Sequence, residues 1–155
     1  MNAMTTSSKG RERFSVDTHV LVYAVDTGAG EKHCRAQRVI ETLLERDCVL
    51  TLQSLAEFYF TVTRKGKLEA DVARIQVDGW QTLFSVVSTK PATLGRAIEV
   101  ARMHHLSFWD AMLWATAREA GVTMLLSEDF QDGQVLDGVR IINPFGVEED
   151  GGWGG

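Results

Sequence analysis

The sequence predicts an α/β fold, a central and mostly parallel sheet of about five strands with helices on both faces. Three observations carry this. Five short apolar runs alternate with longer stretches of helical periodicity. The runs are apolar on both faces, as strands are when crossover helices cover both sides of a sheet. Finally, 155 residues with 45% apolar and 24% charged side chains make one ordinary core. A chain of this size buries roughly 70% of its unfolded surface, so it needs no disulfide or structural metal.

In chain order, the strands are expected at residues 14–16, 48–50, 84–87, 124–126 and 139–142. Helical periodicity fills residues 18–26, 32–46, 54–65, 69–82, 92–105 and 109–120. Gly66 and Gly121 stand where C-terminal caps belong. Residues 111–117 are apolar almost all round, which calls for burial on every side, within the domain or across a subunit interface. Residues 1–12 are small, polar and charged and read as a flexible lead. Residues 146–155, acidic and rich in glycine, read as a disordered tail that leaves Trp153 without a periodic partner. The folding unit is therefore residues 13–145. No internal repeat or linker divides it.

Sixteen Lys and Arg against 21 Asp and Glu give a formal net charge of -5, a field that repels nucleic acid. Any polyanion must be met locally. Cys34 and Cys48 form no CxxC pair, which excludes a zinc site of the usual spacing and a disulfide framework; they read as free thiols of a reducing compartment. No apolar run approaches the ~18 residues of a membrane span, and the first residues lack a signal-peptide core, so the expected location is the cytoplasm.

In open α/β sheets, ligands bind beyond the carboxyl ends of the strands. Asp17 directly follows the first strand, and Ser127, Glu128 and Asp129 follow the fourth. Glu57 and Asp110 fall in the first turns of their helices, whose N-termini face the same edge. Four acids from distant segments thus converge on one rim, where like charges stay ionised together only with a counter-cation. An all-oxygen cluster selects a hard ion, Mg²⁺ or Mn²⁺. Each acid also has a structural reading. Ser54 with Glu57, and Ser107 with Asp110, fit the capping box, Asp17 fits a helix N-cap, and Asp129 fits a turn.

VDTHVLVYAVD (16–26), LQSLAEFYFTVTRK (52–65), LSFWDAMLWATAREAGVTMLLSEDFQDGQ (106–134) and GVRIINPF (138–145) together resemble a PIN-domain ribonuclease, most closely the VapC-type toxins of bacterial toxin–antitoxin pairs. The resemblance runs from about residue 14 to 145. It implies a parallel sheet with helices on both faces and an acidic site made of Asp17, Glu57, Asp110 and Asp129, with Asp17, Asp110 and Asp129 holding the metal. The closest-looking relatives carry Asn where this chain has His19, which alters only a contact behind the acids. Ser127 matches a family Ser or Thr near the metal, and Asp132 falls where a further acid or a histidine often stands; both are peripheral.

The activity implied is that of a metal-dependent endoribonuclease, with a metal-activated water leaving a 5′-phosphate and a 3′-hydroxyl. Glu57 would complete the shell or orient that water. The implied partners are an RNA substrate, a cognate antitoxin and a second copy of the chain in a homodimer. Two basic groups, Arg64 with Lys65 and Lys67, and Arg102 with His104 and His105, stand either beside the rim for RNA or as solvated faces. Neighbouring helix positions point about 100° apart, so His104 and His105 suit a helix C-terminus better than a chelate. Of Phe58, Tyr59 and Phe60, at least two should face the core or a partner. Two other readings stand against the nuclease. One is a catalytically inactive PIN-fold module that binds RNA or protein; the other is an aspartyl-phosphate enzyme, although such enzymes carry a second Asp at the place of His19.

Overall fold

The computed structural model describes residues 11–146. The expected lead and tail therefore lie, but for residues 11, 12 and 146, outside the described residues, and Trp153 lies there with them. The described residues form six strands and six α-helices. In order these are β1 (Phe14–Val16), α1 (Thr18–Val25), α2 (Glu31–Leu43), β2 (Val49–Thr51), α3 (Leu52–Arg64), α4 (Ala70–Leu83), β3 (Ser85–Val87), α5 (Pro91–His104), α6 (Phe108–Glu119), β4 (Met124–Leu126), β5 (Val135–Leu136) and β6 (Val139–Ile142).

β1, β4, β6 and β5 form one sheet in that order, and β2 pairs with β3 in a second. A parallel bridge from Phe14 to Cys48, with Phe14 N–H donating to the Asp47 carbonyl at 2.8 Å, joins the two. Every pair is parallel except β5 with β6. The strands are apolar on both faces because each face meets a separate core. Phe14, Val16, Leu50, Met124 and Leu126 pack with α1 to α4. Val49, Leu125, Val139 and Ile141 pack with α5 and α6. This period-two division is what an α/β sheet requires of its strands.

α6 is buried within the domain itself. Trp114 is 0% exposed, and its indole N–H donates to the Leu136 carbonyl at 3.2 Å. α3 and α6 end on the expected glycines, Gly66 at φ 68° and Gly121 at φ 85°, in the left-handed conformation that only glycine enters without strain. α5 ends on His105, at φ 53°.

Most elements match expectation to within one to three residues at their ends, and two differences go further. α3 begins at Leu52, two residues early, because Thr51, the last residue of β2, is its N-cap and accepts the Ser54 N–H at 3.0 Å. Strand passes into helix without a loop, so Ser54 lies inside the helix, its hydroxyl donating to the Thr51 carbonyl at 2.9 Å. The Ser54 to Glu57 capping box is thereby overturned, and Glu57 falls in the second turn. The second difference is β5, which joins β6 through a two-residue turn, Asp137 at φ 48° and Gly138 at φ 86°. No described helix is long and apolar enough to cross a membrane.

Candidate active site

β1 and β4 are parallel neighbours with Val16 opposite Leu126. The next residue of each chain, Asp17 and Ser127, therefore emerges side by side at the carboxyl edge. The Ser127 hydroxyl donates to Asp17 Oδ2 at 2.6 Å and accepts the Asp129 N–H at 3.1 Å. One side chain thus fixes both strand-end acids. Asp17 Oδ1 accepts the Thr18 N–H at 2.6 Å as the N-cap of α1, so its structural and functional readings hold together. Each carboxylate oxygen has a second lone pair, which leaves Asp17 able to bind a cation while making both bonds.

His19 is the second residue of α1, and its Nδ1 stands 2.8 Å from Asp129 Oδ2. Asp17, His19 and Asp129 each offer one ligand atom within 4.8 Å of the others. Asp110 is not part of this trio but stands close enough for the charges of Asp129 and His19 to act on it. It occupies the first turn of α6, where Ser107, the N-cap, accepts its N–H at 3.1 Å. Glu57 reaches the same region through Gln53, whose Nε2 donates to Glu57 Oε1 at 2.8 Å and to the Trp109 carbonyl at 2.9 Å. Three of the expected acids, Asp17, Asp110 and Asp129, are thus electrostatically coupled, and the fourth is tied to the start of α6.

The electrostatics are those of a crowded anionic pocket. Asp17 is only 4% exposed, and burial first, then the hydrogen bond and charge of Asp129 with the charge of Asp110, push its carboxyl up to about 7; the Ser127 hydroxyl pulls the other way. Burial also raises Asp110, aided by Asp129 and opposed by Ser107 and His19. Burial lowers the His19 ring, but hydrogen bonding to Asp129 and the charges of Asp129, Asp17 and Glu128 bring it above its ordinary value. Such a cluster binds protons in place of a cation. Its oxygen-rich donors, mutual closeness and raised carboxyls fit a hard divalent ion, with His19 an additional nitrogen donor.

The surroundings sort the remaining candidates. Asp132 Oδ1 accepts the Asn143 N–H at 2.8 Å and secures the turn after β6. Lys67 pairs with Asp26, the C-cap of α1, at 3.2 Å, and so sits at the end of α1 remote from Asp17. Lys67 is therefore committed away from the rim. Arg64 lies over the Phe60 ring at 5.5 Å. Arg102 and His104 occupy the last turn of α5, as their cationic character at a helix C-terminus favours. Phe58 alone of its aromatic run enters the core, while Tyr59 and Phe60 are exposed. Glu128, placed at the strand end by the sequence but given no role there, accepts from the Tyr23 hydroxyl at 2.6 Å and Lys32 Nζ at 2.8 Å and braces the strand-end loop. Gln53 too escaped notice. Its signal is the i to i+4 spacing ahead of Glu57, which places both on one helix face.

Comparison with known proteins identifies the family to which this topology belongs. The PIN domain family model matches residues 15–131, and the chain belongs to that family. Among curated proteins, none matches. Among solved structures the chain is similar to VapC20 of Mycobacterium tuberculosis, described as a sarcin-ricin loop cleaving toxin, with 21% identity and a TM-score of 0.63 over 82% of this chain and 98% of the other. It is similar to a toxin–antitoxin complex from Klebsiella pneumoniae, at 17% identity and a TM-score of 0.62 over 84% and 97% of the two chains. A DNA-bound VapBC from Salmonella typhimurium gives 15% identity and a TM-score of 0.61 over 84% and 96%. These likenesses establish the fold.

Proposed function

We propose that the chain is a metal-dependent endoribonuclease and the toxin of a toxin–antitoxin pair, hydrolysing RNA to a 5′-phosphate and a 3′-hydroxyl. The observation that carries this reading is the convergence of Asp17, Asp110 and Asp129 at the carboxyl edge of the sheet, with Asp17 raised to about 7 by burial and its acidic neighbours. Membership of the PIN domain family supports the reaction class. Asp17, Asp110 and Asp129 would hold Mg²⁺ or Mn²⁺, and His19 steadies Asp129 beside them. When bound there, such an ion would supply positive charge for the non-bridging phosphate oxygens and lower the pKa of the attacking water.

The chain's own groups do the rest. Ser127 orients the Asp17 carboxylate and the Asp129 backbone, which ties the two strand-end acids to one another. Glu57 accepts a proton from the water as it attacks phosphorus, the bond from phosphorus to the 3′ oxygen breaks, and that oxygen takes a proton from a solvent water to become the 3′-hydroxyl while Glu57 returns its proton to solvent. A net charge of -5 disfavours bulk attraction of RNA, so binding energy comes from the rim and from Trp109, 60% exposed beside Asp110, whose indole offers a face for an unpaired base. The partners that accompany this reading are a cognate antitoxin and a second copy of the chain. The exposed side chains of Phe60 and Ile75 on α3 and α4, and of Leu94, Ile98 and Met103 on α5, supply apolar surface for both. The cytoplasm, where RNA and a reducing environment coincide, is the location that suits the two free cysteines.

The test is cleavage of a labelled RNA in Mn²⁺ with analysis of the new ends. Metal-dependent products bearing a 5′-phosphate, abolished by EDTA, are expected. Cleavage that persists in EDTA, or that leaves a cyclic phosphate, would overturn the reading.

A further inference from the structure

Gln53 touches both the Glu57 carboxylate and the backbone beside Asp110. Its Nε2 donates one hydrogen to Glu57 Oε1 at 2.8 Å and the other to the Trp109 carbonyl at 2.9 Å. Both partners are acceptors only, so the orientation of the amide is settled by chemistry: the nitrogen faces them and the oxygen faces away. That oxygen, Oε1, is buried and has no protein partner. Leaving a buried acceptor unpaired costs stability, and a helix that needed only a surface residue here would not keep one. The arrangement serves the two donated bonds. One runs within α3; the other crosses to the residue immediately before Asp110, at the first turn of α6.

We infer that Gln53 is a positioning residue, a latch that fixes the Glu57 carboxylate relative to Asp110 across the mouth of the site. The inference rests on the ribonuclease reading above. Glu57 lies in the second turn of α3, and Gln53 Nε2 donates to its carboxylate. Without the latch its three rotatable bonds leave the carboxylate free to sample solvent, and the distance to the attacking water is no longer held. The Trp109 carbonyl loses a donor at the same time, which loosens the α6 entrance that carries Asp110. A latch of this kind alters the rate at which bound substrate reacts more than the binding of substrate itself.

Gln53→Met keeps length and helix propensity and removes both donors; Gln53→Glu replaces the donor by a carboxylate facing Glu57. Steady-state cleavage of a short RNA in Mn²⁺, run on both variants, on Glu57→Ala and on the Gln53→Met, Glu57→Ala double variant, separates the roles. The latch predicts that Gln53→Met lowers kcat about tenfold with KM within about twofold, that Gln53→Glu is lower still, and that Gln53→Met adds nothing when Glu57 is already Ala. A Gln53→Met enzyme as fast as the parent, or one whose loss is repeated in full on the Glu57→Ala background, overturns the latch while leaving the nuclease intact. A second readout is independent of turnover. The Gln53 side-chain amide protons, assigned in NMR spectra by their loss in Gln53→Met, should be protected from exchange and should shift in Glu57→Ala. Free-amide signals that ignore Glu57→Ala overturn the latch by themselves. A parent chain that cleaves no RNA but shows the protected signals overturns the ribonuclease reading instead.

Discussion

Asp17 concentrates the physical argument in one side chain. It is both the cap of α1 and the most buried acid of the rim, and its carboxyl sits at about 7 where an unfolded chain would place it at 3.8. Because the folded state holds this proton more tightly than the unfolded state, the metal-free fold loses stability as pH rises from about 4 to about 7 and stays weaker above that window. Asn in its place keeps an oxygen for the Thr18 amide but carries no charge. Asp17→Asn is therefore expected to raise the Tm of the metal-free chain at pH 8 in EDTA by about 4 °C or more, and to abolish both the gain in Tm from millimolar Mn²⁺ and RNA cleavage. Calorimetry in EDTA and in Mn²⁺ checks both; a lowered Tm in EDTA would contradict the burial argument. At this scale, Asp17 was legible because a strand-end position can be read from an apolar run that stops at an acid. The bond of His19 to Asp129 was not, since it joins residues 110 positions apart that meet only when β1 and β4 lie together.

α6 shows how an element aims a side chain. Ser107 caps its N-terminus, and the first turn then delivers Asp110 to the rim within reach of Asp129 and His19. Ser107→Ala is expected to cost about 1 kcal/mol, a fall in Tm of roughly 2–4 °C, and to weaken Mn²⁺ activation of cleavage several-fold. Ser107→Thr should restore most of both. A Ser107→Ala chain with the parent's Tm and metal response would remove the cap from the account. The N-cap at Ser107 could be read from spacing, whereas the similar spacing at Ser54 misled, because the cap of α3 is a buried strand residue, Thr51, that sequence assigns to no helix. The β5 to β6 hairpin was overlooked for a different reason. Two residues are too few to show alternation, and its only local mark is the Asp137-Gly138 pair, a strong hairpin signal with an expected strand after it but no run of strand residues before it.

For the whole molecule, the alternation of strands and helices carried the fold, since two separate cores on the two faces of one sheet demand strands that are apolar on both sides. The site followed from the same rule, because ligands gather where parallel strands end. What sequence alone did not reveal is how the cations are spent: Lys67 goes to Asp26 and Lys32 to Glu128, leaving an acidic edge whose charge a metal must balance. That balance is the central claim, and anomalous diffraction from crystals grown in Mn²⁺ tests it most directly. The account predicts a single strong Mn²⁺ peak about 2.0–2.3 Å from carboxylate oxygens of Asp17 and Asp129, with Asp110 bound directly or through one water. A pocket without a peak at saturating Mn²⁺, or a peak held by other residues, would contradict it.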